Sequence, residues 1–175
     1  MPDTEVRVGV ADTGGWANSG HMAVYQQHPQ ATLVDVCDVD IQWAERAVQT
    51  FGAEFTTADF TQLVEHDDID VVDIVTPNVA HAPVTLEVMK AGNHVICEKS
   101  LTMSSGQAQD MAQAAKDAGV KNGINFVYCC HPPTRYARHL IQLGHIRRIS
   151  LVNIAYMQRF LIDPKVPWCG DCKRP

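Results

Sequence analysis

The chain has 175 residues, 46% of them hydrophobic, enough for one domain of ordinary size and part of another. Its formal net charge is −6 with no block of Lys and Arg, which argues against a nucleic-acid partner. Residues 1–10 hold Asp3, Glu5 and Arg7 where a signal peptide needs an apolar stretch, and no apolar run approaches the roughly 20 residues that span a bilayer, so no membrane partner and a cytoplasmic chain are expected.

Short apolar runs alternate with helical patterns along the chain. VRVGVA (6–11) reads as a first strand, and 16–27 as a helix ending at His28-Pro29. TLVDVC (32–37) is a second strand, followed by a helix over 41–51 that Gly52 stops. A short strand at 54–56 precedes a helix over 59–65. VVDIV (71–75) is a fourth strand, ended by Thr76-Pro77-Asn78. The next helix is expected over 82–91, with Pro83 in its first turn and Gly92 as its stop. HVIC (94–97) is a fifth strand. Ser104 and Gln107 form a capping box ahead of a long helix. Its pattern places Ala108, Met111, Ala112, Ala115 and Ala118 on one face, and Gly119 ends it. A sixth strand lies within 120–127.

Strands rich in Val and Ile, separated by helices, imply a parallel sheet covered on both faces. The fold class is therefore α/β, a doubly wound parallel sheet of the Rossmann type, in order 3-2-1-4-5-6. The pattern changes after residue 127. Residues 134–143 read as a linking helix, and ISLVNIAYMQRF (149–160) as a long β-rich run. The expected organisation is a dinucleotide-binding domain over 1–128 and, over 129–175, a linking helix and the first strand of an incomplete second α/β domain. The run 149–160 has no partner strand in the chain, so a homo-oligomer or aggregation through its free edge is expected.

The first strand leads into Asp12-Thr13-Gly14-Gly15-Trp16-Ala17. A dinucleotide fold uses G-x-G-x-x-G/A here, so that the backbone approaches a pyrophosphate and the helix packs closely on the strand. Gly14 and Ala17 fit those roles, and the helix N-terminus offers free N–H groups to phosphate. Asp12 stands where the first Gly belongs. Asp38 follows the second strand, where an acid accepts hydrogen bonds from the adenosine ribose and repels the 2′-phosphate of NADP, which favours NAD. The other reading of Asp38 is an N-cap for the helix at 41. Thr76-Pro77-Asn78-Val79-Ala80-His81 and Glu98-Lys99-Ser100 end the fourth and fifth strands, on the side where ligands of open parallel sheets bind. An ammonium at Lys99, held by Glu98, would bind a substrate hydroxyl. The plainer reading of that pair is a solvated strand end.

There are six cysteines. Cys37 and Cys97 sit in apolar runs and read as core residues. Cys169-Gly-Asp-Cys172 has the spacing of half a zinc site or a redox motif, with Cys129 and Cys130 as possible companions, and chance spacing is the alternative.

The series TPNVAH, then AGNHVICEKSL, then NFVYCCHPP resembles the Gfo/Idh/MocA family, the glucose–fructose oxidoreductase and inositol dehydrogenase relatives, over roughly residues 6–170. The resemblance implies an N-terminal Rossmann domain that binds NAD or NADP, and hydride transfer between nicotinamide and a sugar or polyol. It implies that Thr13, Gly14, Gly15, Trp16 and Ala17 form the phosphate turn and that Asp38 is the ribose acid. Thr76, Pro77, Asn78 and His81 then lie beside the nicotinamide ribose, and Glu98 and Lys99 match the EKP motif with its catalytic or substrate-binding lysine. Tyr128 and His131-Pro132 match the segment that enters the active-site cleft, which makes His131 a third catalytic candidate. No metal is implied.

The chain departs from the family pattern at Asp12 for Gly, Ser100 for Pro, Cys129 for Arg, Arg147 for Gly and Cys169 for Arg. Each change is reachable by a single C-to-T or G-to-A transition, so a decayed reading frame and ordinary divergence both fit. The family's second domain needs far more residues than follow position 128, and little or no activity is expected of this chain by itself. An NAD-dependent oxidoreductase fragment and a non-catalytic nucleotide-binding module or inactive remnant are the two competing functions, with a small zinc or redox protein as the third.

Overall fold

The computed structural model describes residues 5–157. The chain divides into two compact units, one ending at Tyr128 and one beginning at Cys129.

The first unit holds a six-stranded parallel sheet in the order β3-β2-β1-β4-β5-β6. Its strands are β1 (Val6–Ala11), β2 (Ala31–Cys37), β3 (Phe55–Thr57), β4 (Val71–Ile74), β5 (His94–Cys97) and β6 (Asn122–Ile124). The helices are α1, wound as a π-helix over Ala17–Met22 and as an α-helix over Ala23–Gln27, then α2 (Ile41–Phe51), α3 (Phe60–Val64), α4 (Asn78–Lys90) and α5 (Ser105–Ala118). The strand order reverses between β1 and β4, which makes the carboxyl ends of those strands the crevice of a doubly wound fold.

Two apolar layers hold the sheet. On one face Val8, Val10, Leu33 and Val36 pack with Ala17 and Met22 of α1 and Ala44 and Ala47 of α2. On the other, Val34, Val72, Ile74, Val95 and Cys97 pack with Leu63, Val88, Met89 and Ala115 of α3, α4 and α5. Fully buried side chains such as Met22, Leu63 and Ile74 contribute about 1.5–3 kcal/mol each. Gly9 is required where α3 closes on β1, because a Cβ there would lie 2.8 Å from Ile69 and 2.9 Å from Leu63. On β5 the alternation is visible: Val95 and Cys97 are buried on the α5 side, while His94 and Ile96 are only half-buried on the other.

The local signals behave as their chemistry requires, with four corrections. The α4 helix begins at Asn78, immediately after Pro77, so Pro83 lies inside it and not in its first turn. Pro77 is already fixed near the dihedral that precedes a helix, and the helix tolerates the one backbone bond that Pro83 removes. In α5 the buried residues are Met111 and Ala115, whereas Ala112 and Ala118 face solvent. Ser104 caps α5 by accepting from Gln107 N, but Gln107 Oε1 returns the bond to Met103 N and not to Ser104. Residues 149–157, expected to open a strand, have no ladder neighbour among the described residues and form none, leaving Leu151, Ile154 and Met157 more than four-fifths exposed. Residues 158–160 of that run lie outside the described residues.

The second unit contains α7 (Pro132–Gln142), preceded at the boundary by the one-turn helix α6 (Val127–Cys130). No helix among the described residues is long and apolar enough to cross a membrane.

Candidate functional site

The turn after β1 is built on Asp12, which has φ of 79°, the left-handed region that favours Gly. Asp12 N donates to Cys37 O at 2.8 Å, which carries the sheet pairing of β1 and β2 into the turn. Asp12 Oδ1 accepts from Gly14 N at 2.7 Å. A Cβ on Gly14 would lie 2.8 Å from that oxygen and would displace it, while Gly15 faces open space. Ala17 is fully buried against β1. Thr13 is fully buried too, and both its N–H and its hydroxyl donate to Asp38 Oδ2, at 3.0 and 2.8 Å.

Asp38 is nearly buried, and its other oxygen accepts from Asp40 N at 3.0 Å. The N-cap of α2 is Asp40, whose side chain accepts from Gln42 N. That removes the capping role from Asp38 and leaves it as the acid that ties β2 to the turn after β1.

The loops after β4 and β5 are tied together. His81 is fully buried, with Nδ1 2.7 Å from Ser100 O and Nε2 2.8 Å from Thr76 O. Both ring nitrogens are thus occupied, and His81 acts as a strut between the loops where a cofactor-facing group was expected. Pro77 and Asn78 are exposed at the head of α4. Thr76 Oγ1 is buried without a hydrogen-bond partner among the described residues.

Glu98 is buried and Lys99 is not. Glu98 Oε1 accepts from Trp16 Nε1 at 2.9 Å, His21 Nε2 at 3.1 Å and Asn125 Nδ2 at 2.6 Å. Glu98 Oε2 accepts from Lys99 N at 3.0 Å and lies 4.0 Å from Lys99 Nζ, whose side chain is 61% exposed. On the far side of His21, Nδ1 is 2.6 Å from Asp73 Oδ2, which also accepts from Tyr25 Oη at 2.8 Å.

The electrostatics follow from these bonds. Burial by itself would make His21 neutral, but the hydrogen bond and charge of Asp73, then those of Glu98, outweigh it and raise its pKa above the ordinary histidine value. Burial pushes Glu98 up, and the donors Trp16, Asn125, Lys99 N and His21 more than offset it, so its pKa is lowered. Burial, then the charge of Asp73, drives the Tyr25 phenol far upward and keeps it a neutral donor.

His21, Tyr25, Asp73 and Asn125 were not foreseen from the sequence. One signal was present: an acid alone within the buried strand VVDI must find partners, because an unpaired buried charge is costly. The π-winding is what brings Trp16 and His21 together. Residues five apart are about 140° apart around an α-helix, whereas i→i+5 winding places them on one face. Their rings meet edge to face with centroids 6.1 Å apart.

In the second unit His131 is exposed just ahead of α7, and Cys129 and Cys130 are exposed free thiols. Cys169 and Cys172 lie outside the described residues; among the described residues no group of three His, Cys, Asp or Glu side chains able to hold a metal occurs.

A dinucleotide fits the backbone of this crevice. Gly15 leaves its part of the turn open, and the unpartnered Thr76 hydroxyl lies in the loop after β4. The misfit is Asp12, whose carboxylate already accepts an N–H of the turn.

The family model described as "Oxidoreductase family, NAD-binding Rossmann fold" matches residues 6–126. Levoglucosan dehydrogenase of Pseudarthrobacter phenanthrenivorans is 32% identical over 162 residues, 88% of this chain and 42% of that protein. A crystal structure of an NAD-binding oxidoreductase from Klebsiella pneumoniae superposes with a TM-score of 0.75 at 34% identity, over 82% of this chain and 40% of that one. Scyllo-inositol dehydrogenase from Lactobacillus casei, crystallised with NAD(H) and scyllo-inositol, gives 0.80 at 25% identity, over 84% and 44%. The chain spans less than half the length of each of these relatives. With a matching family model over residues 6–126, the chain belongs to the Gfo/Idh/MocA family of NAD-binding oxidoreductases.

Proposed function

We propose that the first unit binds NAD(H) in the crevice between β1 and β4, in the service of hydride transfer between nicotinamide and a secondary alcohol or ketone of a sugar or polyol. The observation that carries this is the Thr13–Asp38 pair, which joins the phosphate turn to the acid at the end of β2. In this reading Gly14, Gly15, Trp16 and Ala17 receive the pyrophosphate, Asp38 the adenosine ribose, and Thr76, Pro77 and Asn78 the nicotinamide ribose. Asp38 disfavours the 2′-phosphate of NADP by charge. A bound dinucleotide supplies the hydride acceptor or donor. Lys99, exposed at the end of β5 with its charge partly met by Glu98, binds the substrate oxygen and stabilises negative charge on it as its proton leaves. His131, in the second unit, is proposed as a further proton-transfer group.

The Asp12 carboxylate favours a second reading, nucleotide binding that is weak and without turnover. Titration of the full chain with NADH, read by fluorescence, tests the first step. Saturable binding of NADH supports the proposal, and its absence at millimolar NADH overturns it. Reduction of NAD with inositol or levoglucosan present separates turnover from binding alone. We also propose that the exposed apolar residues of 149–157 drive self-association.

A further inference from the structure

His21, Asp73 and Glu98 come from three elements and meet directly behind Lys99, yet neither the phosphate turn nor the ribose acid calls for them. Their geometry is two-sided. Glu98 Oε1 gathers inward donors, Trp16, His21 and Asn125, while Glu98 Oε2 faces the backbone and ammonium of Lys99. His21 has a carboxylate at each ring nitrogen, at 2.6 and 3.1 Å. An ionised carboxylate only accepts, so with both acids charged each ring nitrogen donates and the ring carries two protons. The Asn125 amide nitrogen, with two N–H groups, lies 2.6 Å from Glu98 Oε1 and 3.3 Å from Nε2, so the acid is its closer partner.

The surroundings leave His21 as the cation of this cluster. Asp73 reaches it from β4, Glu98 from the end of β5, and Tyr25 from its own helix through Asp73. Asn125, beyond β6, is uncharged. The Cys97 thiol, next to Glu98, is raised to about 11, first by burial, and stays neutral. Lys99 stands on the outer side of Glu98 and is exposed. Without the ring, two buried carboxylates share one space with no cation between them. Like charges so placed force one of them to take a proton. A protonated Glu98 would donate from one oxygen and could no longer serve Trp16 and Asn125 on one side and Lys99 on the other.

We propose that His21 is a positioning residue: clamped as an imidazolium between Asp73 and Glu98, it holds the Glu98 carboxylate with one oxygen inward and the other toward Lys99. The functional meaning of this rests on Lys99 as the substrate-facing group, whereas the state of the ring stands independently of it. Because Trp16 shares the same Glu98 oxygen, the ring also ties the phosphate turn to the end of β5.

The test is made on the full chain. Long-range ¹H–¹⁵N spectra, with His21→Gln for assignment, report whether each ring nitrogen carries a proton. An ordinary histidine is about nine-tenths neutral at pH 7.5, whereas His21 is expected to remain mainly doubly protonated there. A His21 ring with a single protonated nitrogen at that pH overturns the proposal, and this measurement on the wild type decides even where the variant does not fold. The Trp16 indole N–H, assigned with Trp16→Phe, is the second readout. Its resonance should be flat between pH 5 and 7 in the wild type, move with pH in His21→Gln, and be flat again in His21→Gln/Glu98→Gln. A flat response in His21→Gln breaks the link from the ring to Glu98 and overturns the positioning role. NADH titration run alongside fails or succeeds separately, so a chain with the imidazolium and no NADH binding loses the cofactor reading and keeps this one.

Discussion

Trp16 and His21 donate to the same atom, Glu98 Oε1, at 2.9 and 3.1 Å. The helix after the phosphate turn is therefore fastened to the end of β5 by one buried carboxylate, and the charge on that carboxylate is held by a ring that also holds Asp73.

This fastening should be visible in stability against pH. His21 has a raised pKa in the folded chain, so its contribution is complete below the unfolded value near 6.5 and is lost as pH rises through the folded value. Glu98 has a lowered pKa, so its contribution is complete above about 4.5 and is lost as pH falls through the folded value. For these groups the melting temperature should be highest between about pH 4.5 and 6.5 and fall on both sides. His21→Gln should cost about 3 kcal/mol near pH 6, the loss expected when one partner of a buried ion pair is removed, and should flatten the alkaline fall. Thermal melts across pH 4–9 check both.

Asp12→Gly should tighten NADH binding. A carboxylate about 5 Å from a phosphate charge costs on the order of 3 kcal/mol at an effective dielectric of 20, or about two decades in dissociation constant. The substitution also relieves the left-handed backbone at φ of 79°. Fluorescence titration of both proteins measures the change, and equal affinities would mean that no phosphate approaches this turn.

Asp38→Ala should do two things at once. It leaves the N–H and hydroxyl of buried Thr13 without their acceptor, which costs about 1–3 kcal/mol. It also removes the charge that opposes a 2′-phosphate, so the ratio of NADPH to NADH affinity should rise. A ratio unchanged from the wild type would show that the acid serves only Thr13 and Asp40 N.

The cysteines should separate by reactivity. Burial, followed by nearby acids led by Asp35, pushes the Cys37 thiol up to about 12. Cys97 is raised to about 11, first by burial. Native alkylation at pH 7.5, mapped by mass spectrometry, should label the exposed Cys129 and Cys130 within minutes and leave Cys37 and Cys97 unlabelled until the chain unfolds.

A chain ending at Gly144 should be more soluble than the full 175 residues, since it removes the exposed Ile149, Leu151, Val152, Ile154, Tyr156 and Met157. Light scattering on the two proteins compares them. A monodisperse full-length monomer, no worse behaved than the shorter chain, would sink the association argument.

The sheet order, the helices on both faces and the place of the glycine turn after β1 were readable from residues alone. Those features rest on local chemistry: apolar runs of strand length, Gly52 and Gly119 in the left-handed conformation as helix stops, and caps at Asp40, Asp59 and Ser104. Short-range patterns survive in sequence because each is settled within a few neighbours. Asp38 was legible as the acid after β2, but its freedom from capping α2 was not, since Asp40 competes for that role two residues away.

What the tertiary structure alone decided is the acid–histidine cluster. His21, Asp73, Glu98 and Asn125 are separated by 52, 77 and 104 positions from the ring outward, and no local pattern joins them. Their meeting depends on the π-wound start of α1, which turns Trp16 and His21 onto one face, and on the parallel register that sets β4 beside β5 with Ile74 opposite Cys97. The same long-range packing made His81 a strut and left Lys99 exposed. The charge state of a buried group is a property of what the fold brings against it, and the chain carries that information only once the sheet has formed.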